Sequence, residues 1–424
     1  MPSTSTSKGT AHDATARVVA NPLIFLSAGE ASGERYGAML LESLRAHVPQ
    51  ARFFGLGGAQ MEAAGCECIV RAEEIAVMGI TEVVRHLPAI YGKYRALVRS
   101  IVERRPDVAV LIDFPDVNFR LAKHLHRLGI PVVYFVSPQL WAWKKRRIRW
   151  VQQRVTKMLV IFPFEEAYYR ERGVDASFVG HPLADVPLPT IQREEFASQY
   201  GLDATKHWIG LLPGSRKKEL RLNLPEMLAA VAQLGSKYEY LLPAAATLQA
   251  EWIRQQIRSE ASRVGLNLPK IHIVPDARAA LHHARASIVA SGTATVEAAL
   301  IGNPFLVVYR LSTLSYAVAS RLVQVPHVAM ANLIANARIV PELIQQDCTA
   351  QNIVRHLDPL LYDETARATM QRNLATMRAA LHVPALSEND STEAHGTTMD
   401  RTAAWVLRVL AQSHPAQQDT DIAR

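Results

Sequence analysis

The chain has 424 residues, 49% hydrophobic and 20% charged, with a formal net charge of +8. That length exceeds one ordinary core, predicts two or three folded domains, and excludes a disordered or low-complexity protein. The basic balance favours acidic partners: phosphate-bearing substrates, nucleic acid or an anionic membrane surface. Cys66, Cys68 and Cys348 have no metal-ligand spacing and read as reduced thiols in a cytosolic protein. No run reaches transmembrane length. The start of the chain is Ser/Thr-rich, lacks the apolar stretch of a secretory signal, and reads as a disordered extension over residues 1–20.

From Leu23 the chain alternates strands and helices. Leu23-Ile24-Phe25-Leu26 predicts a short strand, the Gly-rich stretch 27–34 a turn, and about 35–46 a helix. Further buried strands are predicted at 52–58, 108–113, 130–136 and 157–161. Between them, 75–101 carries an amphipathic stripe, with Pro88 starting a second helical piece. Repeated strand–helix units indicate a parallel, doubly wound α/β sheet, in which ligands collect at the carboxyl ends of the strands. The turns at 27–34, 55–58, 113–118 and 137–143 are therefore expected on one face. They bring together Gly29, Glu30, Ser32, Asp113, Asp116 and Asn118.

Val186-Pro187-Leu188-Pro189 marks a linker, after which the alternation restarts. Strands are predicted at 208–212, 240–242, 271–274, 286–290 and 305–309, giving a second Rossmann-like domain and a cleft between the two. The expected organisation is an extension at 1–20, a first domain at 21–186, a second at 187–365, and C-terminal helices with a polar tail at 366–424. After Pro341 the chain reads as mostly helical.

Ser291-Gly292-Thr293 joins a buried strand to a helix, so unpaired amides and the positive helix end converge on a seat for an anion. Glu297, early in that helix, suits the two hydroxyls of a ribose. In Pro213-Gly214-Ser215-Arg216-Lys217-Lys218, a Gly-Ser turn meets three cations at a helix start. Cations there oppose the helix dipole, which favours a diphosphate held by the amides and by Arg216. Asp113 and Asp116 follow a buried strand, where a carboxylate can act as general base or as a plain helix cap. His181, in Gly180-His181-Pro182, places an imidazole either in the cleft or in a structural hinge. Ser137 to Arg147 is an aromatic and basic loop for which phosphate or membrane contact is preferred over RNA. Val77, Met78, Ile80, Val83, Val84 and Leu87, with a basic flank, either pack into the core or meet a membrane interface.

Together these motifs resemble the lipid-A-disaccharide synthases. The resemblance is carried in order by Ala28-Gly29-Glu30-Ala31-Ser32-Gly33, Val77-Met78-Gly79-Ile80-Thr81-Glu82-Val83, Pro115-Asp116-Val117-Asn118, Trp141-Ala142-Trp143, Gly180-His181-Pro182-Leu183, Leu212-Pro213-Gly214-Ser215-Arg216 and Ser291-Gly292-Thr293-Ala294-Thr295-Val296-Glu297. It implies a GT-B glycosyltransferase that is inverting and needs neither metal nor cofactor. Such an enzyme joins UDP-2,3-diacylglucosamine to 2,3-diacylglucosamine 1-phosphate at the inner face of the inner membrane. Nucleic acid is not an expected partner, and a homodimer is left open. Under this resemblance Asp113 or Asp116 is the base, with His181 in reserve. Arg216 and the 291–293 turn hold the diphosphate, Glu297 the ribose, and Asn332 and Arg338 approach the nucleotide. Two positions depart from the family pattern: Glu34 stands for an expected Asp, and Phe114 for a small residue. The alternatives are a UDP-N-acetylglucosamine epimerase on the same fold, and a nucleotide- or RNA-binding protein without catalysis.

Overall fold

The computed structural model describes residues 21–72, 80–245, 247–312, 316, 325–383 and 396–413. The expected extension at 1–20 lies outside them. The first sheet is built from β1 (Leu23–Ala28), β2 (Arg52–Gly57), β3 (Glu67–Arg71), β4 (Val108–Ile112), β5 (Val132–Phe135), β6 (Lys157–Val160) and β7 (Ala176–Phe178). All pairings are parallel, in the order β3-β2-β1-β4-β5-β6-β7. The second contains β8 (Trp208–Leu212), β9 (Glu239–Pro243), β10 (Ile271–Val274), β11 (Ala286–Ala290), β12 (Phe305–Tyr309) and β13 (Glu342–Ile344). It is also parallel, in the order β10-β9-β8-β11-β12-β13.

Near-continuous apolar strands arise because helices cover both faces of each sheet. Successive strand residues point to opposite faces. Phe25, Ala109, Leu111 and Tyr134 therefore meet one helical layer, through Leu97, Phe119, Val151 and Tyr169. Ile24, Leu26, Val110 and Ile112 meet the other, through Leu40, Leu44, Val406 and Val409. The last pair belongs to the helix Thr398–Ser413, which returns from the second domain to lie on the helix Ala31–His47. Ser43 donates to Asp400 at 2.8 Å, the Thr398 amide to Asp185 at 2.6 Å, and the Arg401 guanidinium to the Val179 carbonyl at 2.9 Å. The helix Glu364–Ala380 stays with the second domain, packing against the helices Thr293–Ile301, Met330–Ala335 and Ala350–Tyr362.

Some local expectations need correction. The helix after β1 starts at Ala31, inside the stretch read as a turn. β13 lies in the region read as helical, and β3 and β7 were not predicted; these short strands carry little periodic signal. Pro88 does not divide the amphipathic stretch. One helix of 25 residues, Ile80–Arg104, runs through it, anchored by buried Leu97 and Ile101. Among the expected membrane-contact residues, Val77 and Met78 lie outside the described residues. For Ile80, Val83, Val84 and Leu87 only the helical backbone is described. Among the described residues, no helix is long and apolar enough to cross a membrane.

Candidate functional site

In a doubly wound sheet the chain leaves a crevice where the strand order reverses, at the carboxyl ends of the strands. That point lies between β1 and β4 in the first sheet and between β8 and β11 in the second. The four turns at these tips carry Gly29-Glu30, Asp113-Phe114, Gly214-Ser215-Arg216 and Ser291-Gly292. They face one another. The Arg216 guanidinium lies 3.1 Å from the Glu30 carboxylate, and Arg35, on the helix after β1, lies 3.7 Å from Glu297.

Asp113 is the most constrained residue of the first pair. It and Phe114 both adopt left-handed backbone, with φ of 45° and 46°, a conformation that costs non-glycine residues about 1–3 kcal/mol each. The Asp113 peptide is fixed on all sides. Its N–H donates to the Phe135 carbonyl at 3.0 Å, and its own carbonyl accepts from the Tyr134 hydroxyl at 2.6 Å and the Asn118 amide at 2.7 Å. Burial, and then the nearby Glu30 charge, push the Asp113 carboxyl up to about 6, while the Phe114 amide and Arg216 act in the opposite direction. The Phe114 ring covers Gly29: a Cβ on that glycine would come within 2.1 Å of it. Phe114 thus sits directly on the bare backbone of Gly29.

The other first-domain candidates separate clearly. Asp116 is exposed and turned toward the aromatic-basic loop, 2.8 Å from Arg147 and 4.0 Å from Lys144. Asn118, expected at the substrate, is fully buried. Its amide donates to the Ile112 and Asp113 carbonyls, and its oxygen accepts from Ser27 at 2.6 Å, so it shapes the Asp113 turn instead. His181 is the reserve candidate for the base. It is buried beside Phe162 and Tyr36, its Nδ1 accepts from the Leu183 amide, and burial lowers its basicity to about 3, too weak for a base at neutral pH. Ser32 sits in the first turn of the helix Ala31–His47, which has no side-chain cap and offers its positive end to the cleft. Glu34 reaches away from the cleft to accept from the Gln60 amide at 2.8 Å. A shorter Asp would have to approach more closely to make that bond.

In the second domain the two turns differ. The helix Thr293–Ile301 has no side-chain cap, and its N-cap Gly292 has φ 153° with open space where a Cβ would stand. Its first amides are available to an anion. In the other turn the amides of Ser215 and Arg216 already donate to the Glu219 carboxylate, at 3.1 and 3.3 Å. The expected amide cradle over Gly214 and Ser215 is therefore occupied from within the chain. The exposed Arg216 guanidinium remains, shared between Glu30 and Glu219. Glu297 is largely buried; burial raises its carboxyl while Arg35 and Arg278 lower it. Asn332 is placed much as Asn118 is. Fully buried, it donates to Val340 and Glu342 and accepts from the Ile339 and Val340 amides. Arg338 lines a separate cavity with Arg355 and His356, at the β13 edge.

One residue that the sequence did not single out is Glu165. Fully buried, it accepts from Ser137 at 2.6 Å and from the Trp141 indole at 3.0 Å, and so holds the loop after β5. Burial raises its carboxyl to about 7, against the opposing hydrogen bonds from Ser137 and Trp141. Its only sequence signal is the Pro163-Phe164-Glu165 helix start.

Two parallel, doubly wound sheets with switch-point turns facing across a cleft, closed by a helix returning to the first domain, define the GT-B fold. Solved structures agree on that fold. A calicheamicin glycosyltransferase, CalG4, superimposes with a TM-score of 0.56 at 16% identity, covering 93% of this chain and 100% of that one. A Neisseria meningitidis UDP-GlcNAc 2-epimerase superimposes with a TM-score of 0.57 at 12% identity, covering 85% and 97%. The fold therefore admits both the transferase and the epimerase alternatives, and the sequence decides. Residues 24–394 match the lipid-A-disaccharide synthetase family, to which the chain belongs. The lipid-A-disaccharide synthase of Acidobacterium capsulatum is 65% identical over 373 residues, spanning 86% of this chain and 93% of its relative. That of Koribacter versatilis is 52% identical over 359 residues, spanning 84% and 93%. The chain is a glycosyltransferase of lipid A synthesis.

Proposed function

We propose that the enzyme joins UDP-2,3-diacylglucosamine to 2,3-diacylglucosamine 1-phosphate with inversion at the anomeric carbon, working at the inner face of the inner membrane. Asp113 takes the proton of the acceptor 6-hydroxyl as that oxygen bonds to C1. The bond from C1 to the diphosphate oxygen breaks, and UDP leaves with the electron pair. Arg216 and the uncapped Ser291–Gly292–Thr293 turn stabilise the charge that grows on the leaving diphosphate, and Glu297 accepts from the ribose hydroxyls. Gly29, Glu30 and Ser32 border the acceptor. One base suffices for a single inverting displacement.

The observation that supports this assignment is the position of Asp113. It is a half-buried carboxylate whose basicity is raised toward neutrality, at a strained turn facing the Arg216 loop. Such a group is mostly ionised at pH 7 and still basic enough to accept a proton. The test is turnover with both acylated sugars, repeated with Asp113→Asn, Asp116→Asn and Arg216→Ala. UDP should appear only when both lipids are present. Product from a UDP-sugar alone, or full activity in Asp113→Asn, refutes the proposal.

A further inference from the structure

Beside the cleft, the loop after β5 presents a surface that the proposed reaction does not use. Between positions 144 and 154 the chain holds six Lys or Arg and no carboxylate. Trp143 precedes this run and Trp150 lies within it; they are 38% and 39% exposed, unusual for the largest apolar side chains of a folded domain. Each ring is faced by cations. Lys144 Nζ lies 3.9 Å from the Trp143 centroid, and the Arg147 and Arg154 guanidinium carbons lie 5.5 and 5.2 Å from that of Trp150. The surface is built on a fixed base. Trp141 is bonded to buried Glu165, the Tyr168 hydroxyl donates to the Leu140 carbonyl at 3.1 Å, and Phe119 meets Trp150 edge-on at 5.7 Å. It also adjoins the site, since Arg147 pairs with Asp116, three residues beyond Asp113 in the first turn of the helix Pro115–Arg127.

We propose that this face docks on an anionic lipid bilayer, with the two indoles at headgroup level and Lys144, Arg146, Arg147 and Arg149 against lipid phosphates. This deepens the proposed function and rests on its premise that both substrates are membrane lipids. Indoles favour the interface between headgroups and hydrocarbon, and clustered cations are drawn to an anionic leaflet. A bilayer is favoured over RNA because both proposed substrates are membrane lipids. Docking at this face would hold the Asp113 turn beside the surface from which an acylated acceptor must rise.

The test uses the full chain and vesicles of phosphatidylglycerol with phosphatidylcholine, or of phosphatidylcholine alone, without substrates. Binding should require the anionic lipid and fall as salt rises. Arg146→Glu with Arg149→Glu changes four charges on exposed positions and should weaken vesicle binding on the order of a hundredfold or more. Trp143→Ala with Trp150→Ala should weaken it as well, and retained UDP binding checks that both variants are folded. Turnover should fall for substrates embedded in anionic vesicles and stay near wild type for substrates in neutral detergent micelles. Unchanged vesicle binding in the charge-reversal variant overturns the proposal. So does loss of turnover in micelles with vesicle binding intact, which would place the loop inside the substrate cleft. Salt-sensitive RNA binding that is lost in the variants while vesicle binding persists overturns it in favour of nucleic acid. A wild-type protein that binds anionic vesicles but turns over neither lipid breaks the proposed function and leaves the docking face standing.

Discussion

The two switch points share one topology and carry opposite chemistry. At the first, β1 and β4 end on Glu30 and Asp113; at the second, β8 and β11 end on Arg216 and an uncapped glycine turn. Acid therefore faces base across the cleft, joined by the contact of Arg216 with Glu30 at 3.1 Å. The backbones differ as well. The first site fixes a side chain by forcing Asp113 and Phe114 into left-handed backbone and bonding the Asp113 peptide to Phe135, Tyr134 and Asn118. The second bares its main chain at Gly292, with φ 153° and open space where a Cβ would stand, while Glu219 closes over Gly214 at φ 123°. Strain appears where one carboxylate is held in place, and glycine where helix amides are left open.

This contrast is broken most directly at Asp113. Asp113→Asn keeps the shape of the turn and removes the proposed base, so turnover should fall by about 10²–10⁴-fold while UDP binding by calorimetry stays unchanged. If Asp116→Asn gives the larger loss, the base sits on the wet side of the helix and the assignment of roles fails. Next in size is Arg216→Ala, which removes the one described guanidinium on the β8 turn. A charge-assisted contact of this kind is worth about 1.5–3 kcal/mol, so UDP affinity should weaken roughly 10- to 100-fold. Unaltered affinity would mean that the uncapped turn at Gly292 holds the diphosphate alone.

The difference between the two sites was partly legible in the sequence. Strands such as Val108–Ile112 and Ala286–Ala290 are short apolar runs closed by turn residues, so their tips, and with them Asp113 and Ser291, could be placed on one face. The side-chain partners were not legible, because they depend on distant chain. Glu219 fills the Ser215 and Arg216 amides, and Glu165 reaches back 28 positions to Ser137. The Ser43–Asp400 bond spans 357 positions and brings the last described helix onto the first. Asn118 stands out beside a strand end, His181 as an imidazole in the cleft or a hinge, and Asn332 through the family resemblance. Their burial and internal bonds became visible only once the layers around them were in place.

The strain at the first site yields a double-mutant test. Gly29→Ala forces a methyl group into the Phe114 ring, at 2.1 Å from its nearest carbon, and should lower stability by about 1–3 kcal/mol. Phe114→Ala opens that space, so adding Gly29→Ala to it should cost much less by thermal denaturation. Equal costs in both backgrounds would mean that the glycine serves its own backbone and not the ring above it.

The smallest expected effect is the most specific to the pairing of acid with base. If Asp113 is the base, kcat/KM for the acceptor, which reports the free enzyme, should rise as pH increases through about 6 and level off above it. The sign follows from the carboxylate being the active form: protonation below that pH removes the acceptor for the hydroxyl proton. Glu30 holds this carboxyl up by like-charge repulsion, and it also engages the Arg216 cation that draws it down. Glu30→Gln removes the repulsion and frees Arg216, so both changes act in one direction. The acidic limb should move to lower pH by less than about one unit, the size expected of one partly screened charge. A uniform drop in kcat/KM with the limb unmoved would instead make Glu30 a direct ligand of the acceptor, with Asp113 tuned by burial alone.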